Sequence, residues 1–124
     1  MKMDVETVEI NGKTYVRKSE IQESVTNTDG FKYCIIRCKD AGVHAGFVEG
    51  YIGREVTLLN SRRLWSWWGK TLSGLAIEGS FAPEKCKYSD ELPRIILLEA
   101  CEIIECSPKG VKSIREDVGP WKDE

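Results

Sequence analysis

Alternating apolar and polar positions near the start of the chain predict a β-hairpin followed by a short helix. Val8–Ile10 and Lys13–Val16 flank Asn11-Gly12, a pair that accepts the positive φ angles of a type I′ turn. Ser19 and Gln22 fit a capping box, which predicts a short helix running to about Val25.

The next part of the pattern predicts three strands joined by short turns. β-forming residues dominate residues 31–38, 43–52 and 55–59. Gly46 and Gly50 lie within the second of these runs and indicate a bulge or a close backbone approach there.

The Trp-rich segment Ser61–Lys70 holds three of the four tryptophans. Leu72, Leu75 and Ala76 continue it at helical spacing. We therefore expect one or two short helices over residues 61–78, with a break near Gly69. Leu64 and at least one of Trp65 and Trp68 are expected in the core.

The last third of the chain predicts a strand and a helix. Residues 94–106 form the longest apolar run, which is typical of a central, bulged strand. Ser107 and Pro108 are a good N-cap and first helical residue, so a helix should run to about Val118. Its apolar stripe would be Val111, Ile114 and Val118.

Together these elements predict an α+β fold with a mainly antiparallel sheet of about five or six strands and two or three short helices on one face. The length of 124 residues fits a single domain spanning residues 1–124. We expect flexible ends at residues 1–6 and 119–124.

Net charge and the lengths of the apolar runs argue against two classes of protein. The formal net charge of −2 argues against a protein that coats nucleic acid, which normally carries a basic excess. No apolar run reaches the roughly 20 residues of a membrane span, and residues 1–6 form no signal-peptide core. We therefore expect a soluble, cytoplasmic protein.

Cysteine and histidine content argues against a metal centre. The five cysteines are an odd number without an export signal, which indicates reduced thiols. Cys34 and Cys38 should share one side of a strand as packing residues. We expect neither a metal nor a cofactor, because zinc sites need four closed ligands.

The inventory of reactive groups favours binding over catalysis. The sequence shows no nucleophile–base arrangement and no Gly-rich phosphate loop. His44, in an alternating strand, is expected to be structural or to contact a ligand.

The Arg62-Arg63 pair and the tryptophans beside it suit a nucleotide, because arginine fits phosphate oxygens and tryptophan stacks on a base. The same segment also fits a packed core with solvated or ion-paired arginines.

Further aromatic and basic residues are candidates for the same role. On the last predicted helix, Lys112 and Arg115 flank the apolar stripe, where they could reach a ligand or a partner subunit. A solvated helix face with a Lys112–Glu116 pair is the alternative. Tyr88 lies among lysines and offers another ring, and Phe81 is a weaker candidate of the same kind.

Several motifs together resemble a family of small phage and prophage proteins of formerly unknown function. The resemblance covers about residues 31–122, and its most specific parts are Ala41-Gly42-Val43-His44-Ala45-Gly46 and Arg62-Arg63-Leu64-Trp65.

Proteins of this size and layout also resemble the first class of anti-Thoeris proteins. That resemblance implies a sponge that sequesters cyclic ADP-ribose isomers of the gcADPR type, made by TIR-domain proteins, without cleaving them. It also implies a homo-oligomer that holds the ligand between protomers. The residues it implies at the ligand are Arg63, Tyr88 and Arg115, and Tyr88 stands where that class has Phe. The remaining ligand candidates are Arg62, Trp67, Phe81, Lys112 and His44.

Three other functions remain open on the sequence. The Trp residues could stack on single-stranded nucleic acid, or an exposed Trp patch could dock another protein. The third is an unrecognised hydrolase.

Overall fold

The computed structural model describes residues 8–10, 13–15 and 25–121. The predicted N-terminal hairpin is confirmed: β1 (Val8–Ile10) and β2 (Lys13–Tyr15) pair antiparallel with Ile10 opposite Lys13. The helix predicted over residues 19–25 lies outside the described residues except for Val25.

The main sheet is built from six antiparallel strands within the described part of the chain. The strands are β3 (Tyr33–Cys38), β4 (Val43–Ile52), β5 (Glu55–Ser66), β6 (Lys87–Tyr88), β7 (Leu92–Leu97) and β8 (Ala100–Glu105). Their order is β6-β5-β4-β3-β8, and β7 pairs with the first half of β5 beside β6. With the two helices described below, this confirms the predicted α+β class.

The sheet is strongly curled, because β7 and β8 pair with different strands but follow each other in the chain. In a flat sheet, four inter-strand spacings of about 4.8 Å would place β7 about 19 Å from β8. The three peptide units from Leu97 to Ala100, which connect the two strands, reach only about 11 Å. Backbone bonds from Lys39 N to Glu99 O (3.0 Å) and from Ala100 N to Arg54 O (2.9 Å) hold the connecting turn. The single central strand predicted over residues 94–106 is therefore wrong: the run is two strands with a turn at Leu98-Glu99.

The curl gives the sheet two buried faces. On the concave side Cys34, Ile36 and Cys38 pack against β5 and β7, so the two cysteines share one side as expected. On the other side Tyr33 and Ile35 pack against the helices.

The Trp-rich segment is largely strand, which corrects the helix predicted over residues 61–66. β5 continues to Ser66, and a helix begins only at α1 (Leu72–Glu78), capped by Thr71. Leu64 is in the core as expected, but Trp65 and Trp68 are 50 % and 39 % exposed. The expectation that one of these two is a core residue was wrong, because in a strand Trp65 points away from the face that buries Leu64.

A bulge in β4 and β5 changes which residues of β5 face the helices. Gly46 lies opposite an extra residue of β5, as the sequence predicted, and a Cβ there would be 2.9 Å from Leu59 O. Asn60 takes a positive φ of 52° at this point. The bulge shifts the alternation by one residue, so that Leu59 and Arg62 both face the helices while Arg63 pairs with His44 on the other side.

Helix α2 (Pro108–Arg115) begins as predicted, with Ser107 Oγ accepting from Gly110 N at 3.1 Å. It ends at Arg115 rather than near Val118, because the N–H groups of Glu116 and Asp117 both bond to Lys112 O. The predicted stripe of Val111, Ile114 and Val118 is buried against the sheet.

The C-terminal segment is docked as far as the structure describes it. Pro120 bridges to Tyr88, and Trp121 N donates to Tyr88 O at 2.8 Å. Residues 119–121, expected to be flexible, are therefore held against β6, while residues 1–6 and 122–124 lie outside the described residues.

The contact between α1 and α2 generates a prediction for Gly110. A Cβ at this position would overlap the carbonyl oxygen of Ala76. Gly110→Ala should lower the free energy of unfolding by at least about 2 kcal/mol in urea denaturation, because the helices must move apart. This reverses the usual effect, since alanine inside a helix is normally about 1 kcal/mol better than glycine.

Gly50→Ala is the matched control, because a Cβ there has nothing within 4 Å. A Gly110→Ala protein as stable as the parent would show that the two helices are less closely packed than described.

Candidate functional site

A cavity of about 420 Å³ opens between the second half of β5, the loop after β6 and the C-terminal segment. This volume falls within the range of small-molecule sites. The cavity is lined by His44, Ser61, Arg63, Trp65, Ser89, Asp90, Leu92, Ile95 and Trp121. It therefore brings together two of the residues predicted from sequence, Arg63 and His44.

One wall of the cavity is aromatic. The Trp65 and Trp121 rings meet edge to face, with centroids 5.6 Å apart and an interplanar angle of 66°. Lys87 Nζ lies 5.1 Å from the Trp121 centroid. Both rings are about half exposed, so a flat ligand could reach them. Trp121 was missed as a site residue because its position depends on the docking of residues 120–121 on β6.

The cavity also offers polar groups that have no partner among the described residues. Ser61 is 1 % exposed, and its Oγ makes no hydrogen bond there. The Arg63 guanidinium is exposed and makes no ion pair within the described chain, while its backbone N–H donates to Ser89 Oγ at 2.8 Å. A buried hydroxyl without a partner is costly, and Ser61 is one of the residues that line the cavity.

His44 is buried beside these groups and its ring favours the neutral form. Its Nε2 lies 2.9 Å from Ala41 O, which fixes this nitrogen as the donor and leaves Nδ1 as an acceptor. Burial and the nearby Arg63 charge lower the pKa of His44, although the bond to Ala41 opposes them. Its packing fits a structural or ligand-contacting residue.

Arg62 has a structural role, although it was a ligand candidate on the sequence. It is 3 % exposed, and its guanidinium donates to three backbone carbonyls. Nε bonds Ser89 O at 2.6 Å, and Nη1 bonds Ile114 O at 2.6 Å and Val118 O at 2.7 Å. It also lies 5.3 Å from the Tyr88 ring centroid. With these contacts Arg62 does not face the cavity.

Tyr88 is fully buried beneath Arg62, so its ring is not available for stacking on a ligand in this structure. Burial, the first of several causes, raises the pKa of the Tyr88 hydroxyl far above its usual value. This candidate thus lies in the core rather than at the cavity surface.

The basic residues of α2 are ion-paired on the helix side of the sheet. Arg115 makes a two-bond pair with Glu91, at 2.7 and 3.1 Å, and its guanidinium carbon lies 5.2 Å from the Phe47 ring. Lys112 pairs with Asp117 at 2.9 Å rather than with Glu116. Neither side chain lines the cavity.

Phe81 and Trp67 lie elsewhere. Phe81 is 65 % exposed and meets Trp68 edge to face at 6.2 Å, with Lys85 Nζ 4.7 Å from the Trp68 ring. Trp67 is partly buried against the helix-side core. The eight sequence candidates are thus divided among the cavity, the core, α2 and a separate Trp68–Phe81 patch.

All five cysteines are free within the described chain, and four of them are buried. Burial raises the pKa of Cys34 to about 11 and of Cys106 to about 12, which keeps these thiols protonated and unreactive. Residues 8–10, 13–15 and 25–121 contain no cluster of three potential metal ligands. Nor do they include a helix long and apolar enough to cross a bilayer.

The family described as Domain of unknown function (DUF6948) matches residues 31–114. This chain belongs to that family. The match contains β3 to β8, α1 and nearly all of α2, and therefore most of the cavity, but not Trp121. No curated protein and no solved structure is significantly similar to the chain.

The three carbonyl contacts of Arg62 generate a stability prediction. Arg62→Ala would leave buried carbonyls unpaired, at roughly 1–3 kcal/mol each, so the free energy of unfolding should fall by at least about 3 kcal/mol. Urea denaturation measures this loss. Arg63→Ala is the matched control, because its exposed side chain should contribute less than about 1 kcal/mol. Equal stability of the two variants would refute the structural role of Arg62.

Proposed function

We propose that this protein binds a small adenine nucleotide, a cyclic ADP-ribose isomer of the gcADPR type, and holds it without cleaving it. One observation carries the proposal: the cavity joins a guanidinium free of ion pairs in the described chain, at Arg63, to the Trp65–Trp121 wall. A nucleotide is a ligand that needs both a cation for its phosphates and an aromatic surface for its base.

The polar groups supply the rest of such a site. Arg63 would donate to the pyrophosphate, and Ser61 and Ser89 lie beside it in the lining of the cavity. A nanomolar sponge needs about −12 kcal/mol of binding free energy. Two charge-assisted contacts and one or two stacked rings in a preformed pocket are of the right order.

Sequestration rather than turnover is favoured by the arrangement of Ser61 and His44. A serine nucleophile needs a base within hydrogen-bond reach and a third group that orients the base. Ser61 Oγ makes no hydrogen bond to His44 in the described chain, and His44 Nε2 is bound to a backbone carbonyl rather than a carboxylate.

The resemblance to phage anti-Thoeris proteins supports the biological part of the proposal. In that role the protein would act in an infected or lysogenic bacterium, where it would remove the signal made by a TIR-domain protein. Arg115 and Tyr88, which the resemblance implies at the ligand, face other parts of their own chain here. A role for Arg115 therefore requires a site shared between protomers.

Calorimetry with gcADPR and with cyclic ADP-ribose tests the binding. Arg63→Ala should weaken binding by more than about 1.5 kcal/mol, or about tenfold, with little change in thermal stability. Arg54→Ala is the matched control, because Arg54 lies at the far end of β5 in the turn after β4 and does not line the cavity. Trp121→Ala should also weaken binding, because its ring forms part of the aromatic wall.

The chemical fate of the ligand separates a sponge from an enzyme. After heat denaturation of the complex, the ligand should be recovered unchanged. Recovery of linear ADP-ribose would replace the sponge with a hydrolase. Binding of single-stranded nucleic acid that weakens steeply with salt, with no nucleotide binding, would instead support the nucleic-acid alternative.

We also expect a homo-oligomer, at least a dimer. Trp65, Trp68, Phe81 and Trp121 are all more than one-third exposed, and a two-fold contact is the commonest way to cover such a surface. Light scattering at micromolar concentration should give at least twice the chain mass of 14.0 kDa. A monomer mass, with and without ligand, would leave only a site within one chain.

A further inference from the structure

We propose that Asp90 determines the specificity of the cavity, by selecting ligands that present hydrogen-bond donors as well as an anionic group. The inference rests on the proposed nucleotide site and concerns which groups of the ligand that site recognises. A nucleotide supplies such donors through its ribose hydroxyls and the exocyclic amino group of adenine.

Asp90 is an exposed residue of the loop between β6 and β7, and it lines the same cavity as Arg63. Its carboxylate makes no hydrogen bond or ion pair with any residue that the structure describes. The Ser89 hydroxyl donates to the backbone oxygen of Asp90, at 2.8 Å, and not to the carboxylate. The cavity therefore contains a cation and a carboxylate that do not neutralise each other by direct contact.

The loop that carries Asp90 is fixed on both sides. Arg62 Nε and the backbone N–H of Arg63 bond Ser89, at 2.6 and 2.8 Å. On the other side Arg115 holds Glu91 with two bonds. These bonds fix the place of the Asp90 backbone at the cavity, so the loop does not have to be ordered when a ligand binds.

The two charges act in opposite directions on a simple anion. Inorganic pyrophosphate would gain contacts with Arg63 but would be repelled by Asp90 and could offer it no compensating neutral donor. A nucleotide can place its phosphates near Arg63 and turn a hydroxyl or amino group toward Asp90, which then accepts a charge-assisted hydrogen bond. The carboxylate thus penalises bare phosphate and favours a nucleoside.

The test compares two probes on the Asp90→Asn variant. Binding of cyclic ADP-ribose should weaken by about tenfold, because a hydrogen bond to a carboxylate is lost or reduced. Inorganic pyrophosphate should bind about two- to fivefold more tightly, because an exposed like charge is removed. The hypoxanthine counterpart of cyclic ADP-ribose, which lacks the amino group, shows which donor Asp90 binds. If Asp90 binds the amino group, Asp90→Asn should not change the affinity for this probe. If Asp90 binds a ribose hydroxyl, the variant should weaken binding of this probe as it weakens binding of cyclic ADP-ribose.

Asp29→Asn is the matched control. It makes the same change in chemistry and net charge in the turn before β3, outside the cavity, and should affect neither probe. If Asp90→Asn leaves cyclic ADP-ribose binding unchanged, or shifts both probes in the same direction, the inference is wrong although the nucleotide site stands. If the parent protein binds no adenine nucleotide, the proposed function itself fails.

Discussion

The buried guanidinium of Arg62 is the interaction on which the rest of this structure depends. It joins β5 to two parts of the chain that are far from it in sequence, namely the loop after β6, and the end of α2 with Val118 just beyond it. Removing a charge from water is expensive, and short bonds to carbonyl dipoles offset that cost only if their geometry is well fixed. The loop and the helix end must therefore take these positions together.

This contact links the core of the protein to its cavity. Arg62 and Arg63 are neighbours on β5, so they point to opposite faces: Arg62 holds Ser89 from the helix side, while Arg63 lines the cavity whose wall includes Ser89. Arg115 strengthens the same loop through Glu91. Two of the arginines that sequence reasoning assigned to phosphate thus build the wall of the site, and the third faces its interior.

Local patterns predicted the hairpin, β3, β4, α1 and the start of α2, because each depends on turn chemistry, capping or alternation within a few residues. Two errors have non-local causes. The alternation of buried and exposed positions over residues 61–66 is not visible in the sequence, because the buried residue at position 62 is an arginine. A pattern of apolar and polar residues assigns an arginine to the solvent-facing side. The turn at Leu98-Glu99 has no Gly, Pro or Asn. It is determined instead by the bond that Lys39 N donates to Glu99 O and by the bond that Arg54 O accepts from Ala100 N. His44 and Arg63 could be proposed as site residues, but Trp121 and Asp90 enter the cavity only through tertiary docking.

The distribution of charge explains how a chain with a net charge of −2 can be suited to an anionic ligand. Long-range attraction of a polyanion needs a broad positive field, which this composition does not supply. A small ligand needs only local donors, and pairing with nearby acids occupies Lys112, Arg115, Arg94 and Arg37, while Arg63 makes no ion pair within the described chain. One cavity-lining cation, Arg63, beside tryptophans and a carboxylate is a poor match for a nucleic-acid backbone. It is a good match for one compact molecule that carries phosphate, sugar and base together, and this favours the nucleotide proposal over the nucleic-acid alternative.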